Sequence, residues 1–226
     1  MIRRLLFENE LTSLHDEIIK FGSLVEESID KAITALKTQD TKLANEIIVS
    51  DDILDAYEKN IERLCIMIIA TQQPIARDLR NISTALKIVT DMERIGDHAS
   101  DIAELSVRHA NAKYIKPIID IPKMAHEARL MVKDSISAYV TQNIDLANAV
   151  CKRDDIVDEF FSKITLELIS LMKNDANVID QAIDLMLITK YLERIADHAT
   201  NIAEWAIFNA TGEYEESVKR HLEMEE

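Results

Sequence analysis

The chain has 226 residues, a formal net charge of −15 from 41 acidic and 26 basic side chains, and only three glycines and three prolines. That charge excludes functions that need a basic footprint on a phosphate backbone, so no nucleic-acid partner is expected. Few chain breakers, abundant Ala, Leu, Ile, Glu and Lys, and 5% aromatic residues leave long helices with an aliphatic core.

The first helix carries Leu11, Leu14, Ile18, Phe21, Val25, Ser28, Ala32 and Ala35 at alternating spacings of three and four. This is the apolar seam of a left-handed bundle. A short polar break at Lys37-Thr38-Gln39-Asp40-Thr41 precedes a second helix with the seam Ile47, Ser50, Leu54, Tyr57, Ile61, Leu64 and Ile68. Short connections make long helices antiparallel neighbours. Gln72-Gln73-Pro74 ends the second helix, because proline disfavours helical geometry in the residue before it. A third helix is predicted from about Ile75 to His109.

Asn111 to Pro122 holds two of the three prolines and reads as a linker. The pattern then restarts: helices from Pro122 to Thr141, from Asp145 to Lys173 and from Val178 to Asn209, with breaks at Gln142-Asn143 and Asn174-Asp175. Asp145 and Asp175 are expected to cap near helix starts. The acidic segment from Glu213 to Glu226 is expected to form a last, short helix. The result is an all-α fold of six long helices in two pseudo-symmetric three-helix bundles, 1–112 and 113–226, the second with a short acidic tail.

An internal repeat supports the duplication. Residues 93–104, ERIGDHASDIAE, return as 193–204, ERIADHATNIAE, with nine of twelve positions identical. Asp51-Asp52-Ile53-Leu54-Asp55 likewise resembles Asp154-Asp155-Ile156-Val157-Asp158. Each helical residue turns by about 100°, so Asp97, Asp101 and Glu104 lie at about 40°, 80° and 20° from Glu93, on one strip. Ile95, Ala99 and Ile102 fall on the opposite, core-facing side. Glu193, Asp197 and Glu204 repeat the strip, with Asn201 in place of the third acid. Asp51/Asp55 and Asp154/Asp158 are also four apart.

Like charges four apart destabilise a helix by a few tenths of a kcal/mol per pair, and no lysine lies within either twelve-residue strip. Two readings fit: an oxygen-rich metal site shared between helices, or a solvated acidic face paired locally with Arg94 and Arg194. His98 and His198 point about 100° from Asp97 and Asp197, and are expected to be hydrogen-bonded structural histidines. The Glu93-to-His98 spacing also excludes the Glu-x-x-His arrangement of di-iron bundles. No phosphate-binding loop, hydrolase triad or HExxH motif is present. A carboxylate-bridged metalloenzyme acting on phosphate esters is the competing functional class.

No run of 18 apolar residues exists to span a membrane, and Glu8 and Glu10 end the hydrophobicity of the N-terminal segment, so no signal peptide is expected. Cys65 and Cys151 lack CxxC spacing and are expected to be buried thiols in a reducing, cytoplasmic setting.

Leu192–Glu204, its partner beginning at Met92, and Gln72-Gln73-Pro74-Ile75-Ala76-Arg77-Asp78-Leu79-Arg80 resemble the PhoU family of phosphate-transport regulators. The resemblance runs from Phe7 to about Glu204. It implies a non-catalytic, cytoplasmic negative regulator of phosphate uptake and phosphate-starvation signalling. Such a protein acts between the phosphate ABC transporter ATPase and a sensor histidine kinase, reaching the membrane only through those partners, with homodimerisation expected. It also implies divalent or trivalent metal ions (Fe, Zn, Mn or Mg) held by paired acidic motifs. By position these are Asp51, Asp55, Glu93, Asp97 and Asp101 in the first unit, and Asp154, Asp158, Glu193, Asp197 and Asn201 in the second. Asn201 brings no charge, so the second site is expected to be weaker or smaller.

Overall fold

The computed structural model describes residues 2–110 and 112–213. Six helices account for nearly all of them: α1 Ile2–Thr38, α2 Thr41–Gln72, α3 Arg77–Arg108, α4 Asp120–Thr141, α5 Ile144–Asn174 and α6 Ile179–Thr211. A 3₁₀ turn, Ala176–Val178, leads into α6. The expected short helix over 213–226 lies outside the described residues. The other predicted helix boundaries fall within two residues of those observed. α4 starts two residues early because Pro122 is tolerated in a first turn, where its missing N–H has no acceptor. Asn143, not Asp145, caps α5, its side chain accepting from the Leu146 amide at 3.0 Å. Asp175 caps the 3₁₀ turn, accepting from the Asn177 amide at 2.9 Å. Asp40 caps α2, accepting from the amides of Lys42 and Leu43 at 3.0 Å.

The helices form two pseudo-symmetric three-helix bundles, α1–α3 and α4–α6, which lie side by side. α1 packs on α4 and α3 on α6, so these four close a ring. α2 covers α1 and α3 from outside, and α5 covers α4 and α6. The predicted seam is the core: Leu14, Ile18, Phe21, Val25, Ala32 and Ala35 of α1 are fully buried, as are Ile95, Ala99 and Ile102 of α3. Cys65 is buried with them, and burial pushes its thiol up to about 12. Cys151, expected to be buried, is only half-buried.

The linker between bundles is pinned rather than loose. Gln39 Nε2 donates to the carbonyls of His109 and Ala112, both at 2.7 Å, and the Ile115 amide donates to Gln181 Oε1 at 2.6 Å. At the end of α3, buried His109 Nε2 meets Asp184 Oδ2 of α6 at 2.7 Å, and Arg108 donates to the same carboxylate at 3.0 Å. None of the described helices is long and apolar enough to cross a membrane.

Candidate metal-binding grooves

The acidic strip of α3 does not face open solvent. It borders α2, and the two helices put their carboxylates into one groove. One oxygen each of Asp55, Glu93 and Asp97 lie within 4.8 Å of one another. The Glu93 side chain is only 15% exposed and Asp97 32%. Desolvation comes first in raising the Glu93 carboxyl to about 7, followed by the charge of Asp97. Asp51 is raised to about 6 by desolvation and then by Asp97, Asp55 and Asp101, so it belongs to the same cluster. Asp97 is also held above the usual carboxylate range, by desolvation against the pull of Arg94. Glu104, at the far end of the strip, is exposed.

Local cations offset part of this charge. Lys59 Nζ lies 2.8 Å from Asp55, and Arg94 reaches Glu93 at 3.4 Å and Asp97 at 3.2 Å. Arg94 pulls Glu93 and Asp97 down, but desolvation, the larger cause, keeps both above the usual carboxylate range. An all-oxygen donor set, partly desolvated and short of positive charge, fits a hard or borderline cation. The residues present therefore suit a metal ion of the expected kind.

The second groove repeats the arrangement between α5 and α6. Asp154 is raised to about 6 by desolvation and then by Asp158, Asp197, Asp155 and Glu193. Asp197 is raised by desolvation and Glu193. Among the described residues, however, only the first groove brings three carboxylate oxygens into mutual reach. The second groove also differs in Lys190, whose ammonium binds Glu193. Three residues before Glu193, it lies about 60° from it, beside the strip. The same position in the first repeat is Thr90. No lysine lies within either strip, as expected, but Lys190 reaches the second strip from just outside its twelve residues.

Asn201 is not turned into this groove. Its amide donates to Asp91 Oδ1 at 3.3 Å, across to α3. Asp91 also takes His198 Nδ1 at 2.8 Å. His98 Nδ1 lies 3.3 Å from Asp101 Oδ2, and its ring stacks on Tyr191 with centroids 5.4 Å apart. The two histidine rings are 5.8 Å apart at the seam between α3 and α6. Both are hydrogen-bonded, as expected, and burial holds His98 below the usual histidine range. Asp91 and Tyr191 were not foreseen. They occupy equivalent positions in the two repeats but differ in residue type, so the repeat itself gives no signal for them.

The chain is thus an all-α protein of two duplicated three-helix bundles with a carboxylate-lined groove in each half. The PhoU domain profile matches twice, over residues 18–106 and 121–206. The chain belongs to the PhoU family. A phosphate-specific transport system accessory protein PhoU homolog from Clostridium acetobutylicum is 45% identical over 92% of this chain and 96% of its own length. Its counterpart from Aquifex aeolicus is 41% identical over 90% and 92%. The crystal structure of PhoU from Pseudomonas aeruginosa superposes with a TM-score of 0.88, at 32% identity, over 92% of this chain and all of that one. Proteins of this family are regulatory accessory proteins, not enzymes.

Proposed function

We propose that this chain is an accessory regulator of a phosphate transport system. The observation that carries the reading is the end-to-end likeness to relatives bearing that name, covering 92% of this chain and 96% of the Clostridium acetobutylicum protein. In this reading it is a cytoplasmic, homodimeric adapter and negative regulator. It docks on the ATPase of the phosphate ABC transporter and on a sensor histidine kinase, and keeps the kinase inactive when phosphate is plentiful. A net charge of −15 favours basic surfaces on both partners and association that weakens with salt.

The two acidic grooves are the metal sites of this regulator. Asp51, Asp55, Glu93, Asp97 and Asp101 would hold ions in the first groove, and Asp154, Asp158, Glu193 and Asp197 in the second. A bound cation would supply the positive charge that these carboxylates lack and tie α2 to α3 and α5 to α6. The desolvated carboxylates of Asp51, Glu93 and Asp154 support this reading.

Affinity capture with the tagged chain from phosphate-replete cells tests the adapter role. The transporter ATPase and a sensor kinase should be recovered, with less of both as salt rises. Recovery of neither, from cells that express both, would sink the proposal.

A further inference from the structure

The linker between the bundles borders an open surface cleft of about 670 Å³, lined by Lys37, Gln39, Lys113, Tyr114, Lys116 and the chain around Pro117. Among the described residues, three lysines and no carboxylate line it, in a chain with 41 acids against 26 bases. Two other surface clefts mix the signs: Glu27, Lys31 and Glu46 between α1 and α2, and Glu26 with Lys133 between α1 and α4. Lys116 is buried and its ammonium is held by Glu167, so its contribution is partly neutralised. Lys37 and Lys113 are exposed, and neither has an ion-pair partner among the described residues.

Both α1 and α3 end here, and the carbonyl ends of helices repel anions. Some of those carbonyls are already hydrogen-bonded. Tyr114 Oη donates to the Leu36 carbonyl at 2.6 Å, and Gln39 Nε2 donates to the carbonyls of His109 and Ala112 at 2.7 Å. Lysine is a compact point charge suited to phosphoryl oxygens. The volume lies within the range of small-molecule sites, so a phosphate ester fits as well as the free ion.

We propose that this linker cleft binds a phosphoryl anion through Lys37 and Lys113, with Lys116 forming its inner wall. Being on the linker rather than in either acidic groove, the site would let a phosphorylated ligand act on how the two bundles are joined. The test is calorimetric titration of the full chain, in metal-stripped buffer of low ionic strength. The titrants are orthophosphate, pyrophosphate and AMP, with sulfate as control. At least one phosphoryl anion should bind saturably. Its affinity should fall about tenfold or more in Lys37→Gln/Lys113→Gln and be lost in Lys37→Glu/Lys113→Glu, with helicity unchanged in both. The tightest titrant tells free phosphate from an ester or pyrophosphate. The proposal is overturned by no binding of any of the three, by binding unchanged in both variants, or by sulfate binding equally well.

Discussion

Leu54 of α2 lies over Gly96 of α3 so closely that a β-carbon on the glycine would sit 2.6 Å from Leu54 Cδ1. The second repeat places Val157 and Ala196, both fully buried, at the matching positions. A large residue facing a small one in one bundle is answered by two of middling size in the other. This approach sits within the segments that carry the acidic groove, since Asp55 follows Leu54 and Asp97 follows Gly96. Gly96→Ala alone should destabilise the protein by about 1 kcal/mol, since the overpacking against the buried Leu54 methyl outweighs the helix gain of alanine. Leu54→Val/Gly96→Ala should restore stability to that of the wild type or above, since alanine also favours the helix by about 1 kcal/mol. Urea unfolding of the three proteins checks this; a double variant no better than Gly96→Ala would refute the compensation.

The grooves also set the pH dependence of the metal-free protein. Asp51, Glu93 and Asp154 hold their protons more tightly in the fold than in the unfolded chain. Between about pH 4 and 7 the native state therefore binds more protons, and stability falls as pH rises through that window. His98, held low by burial, works the other way below its usual range, but the raised carboxylates outnumber it. Asp120, held low by Lys163 and Lys123, loses its contribution only below the usual carboxylate range. In chelator, Tm should be a few degrees higher at pH 5 than at pH 7.5. Calorimetry showing a lower Tm at pH 5 would contradict the charge crowding.

Lys190 makes the second groove different from the first. Its contact with Glu193 has no counterpart where Thr90 stands. Lys190→Thr should strengthen metal binding in the second groove by about tenfold, the effect of roughly 1.4 kcal/mol. Two-site titration of this variant against the wild type would show the change, and unchanged affinity at both sites would argue against the role of Lys190.

Asp184 joins the two bundles at the far end of α3. Its carboxylate meets His109 at 2.7 Å and Arg108 at 3.0 Å, and its side chain is 13% exposed. Asp184→Asn should cost about 2 kcal/mol, as expected for hydrogen bonds to a charged group. A loss under roughly 0.5 kcal/mol in denaturant unfolding would place the bundle contact elsewhere.

The helices were legible because their seams repeat every three or four residues, from Leu14 to Ala35 and again through α3. The acidic strips were legible for the same reason, since Glu93, Asp97 and Asp101 lie on one flank of one helix. The duplication was legible in residues 93–104 and 193–204. What the sequence did not carry was contact between helices distant in the chain. Asp91 reaches His198 across 107 positions, and Tyr191 stacks on His98, through packing of α3 on α6 that no local period encodes. Lys59 and Lys190 were missed because they lie just beyond the repeated segments. Asn143 took the cap expected of Asp145 because only its side chain sits before the first turn. The lysines of the linker cleft are scattered over α1 and the linker, and only the fold gathers them.

The central claim is that the acidic grooves hold metal ions, and metal content decides it most directly. Elemental analysis of the purified wild type, followed by calorimetric titration with Mn²⁺ after stripping, should find bound metal and saturable uptake. Glu93→Ala/Asp97→Ala should lose the first-groove ion while keeping wild-type helicity by circular dichroism. No metal in the purified wild type and no uptake on titration would contradict the claim.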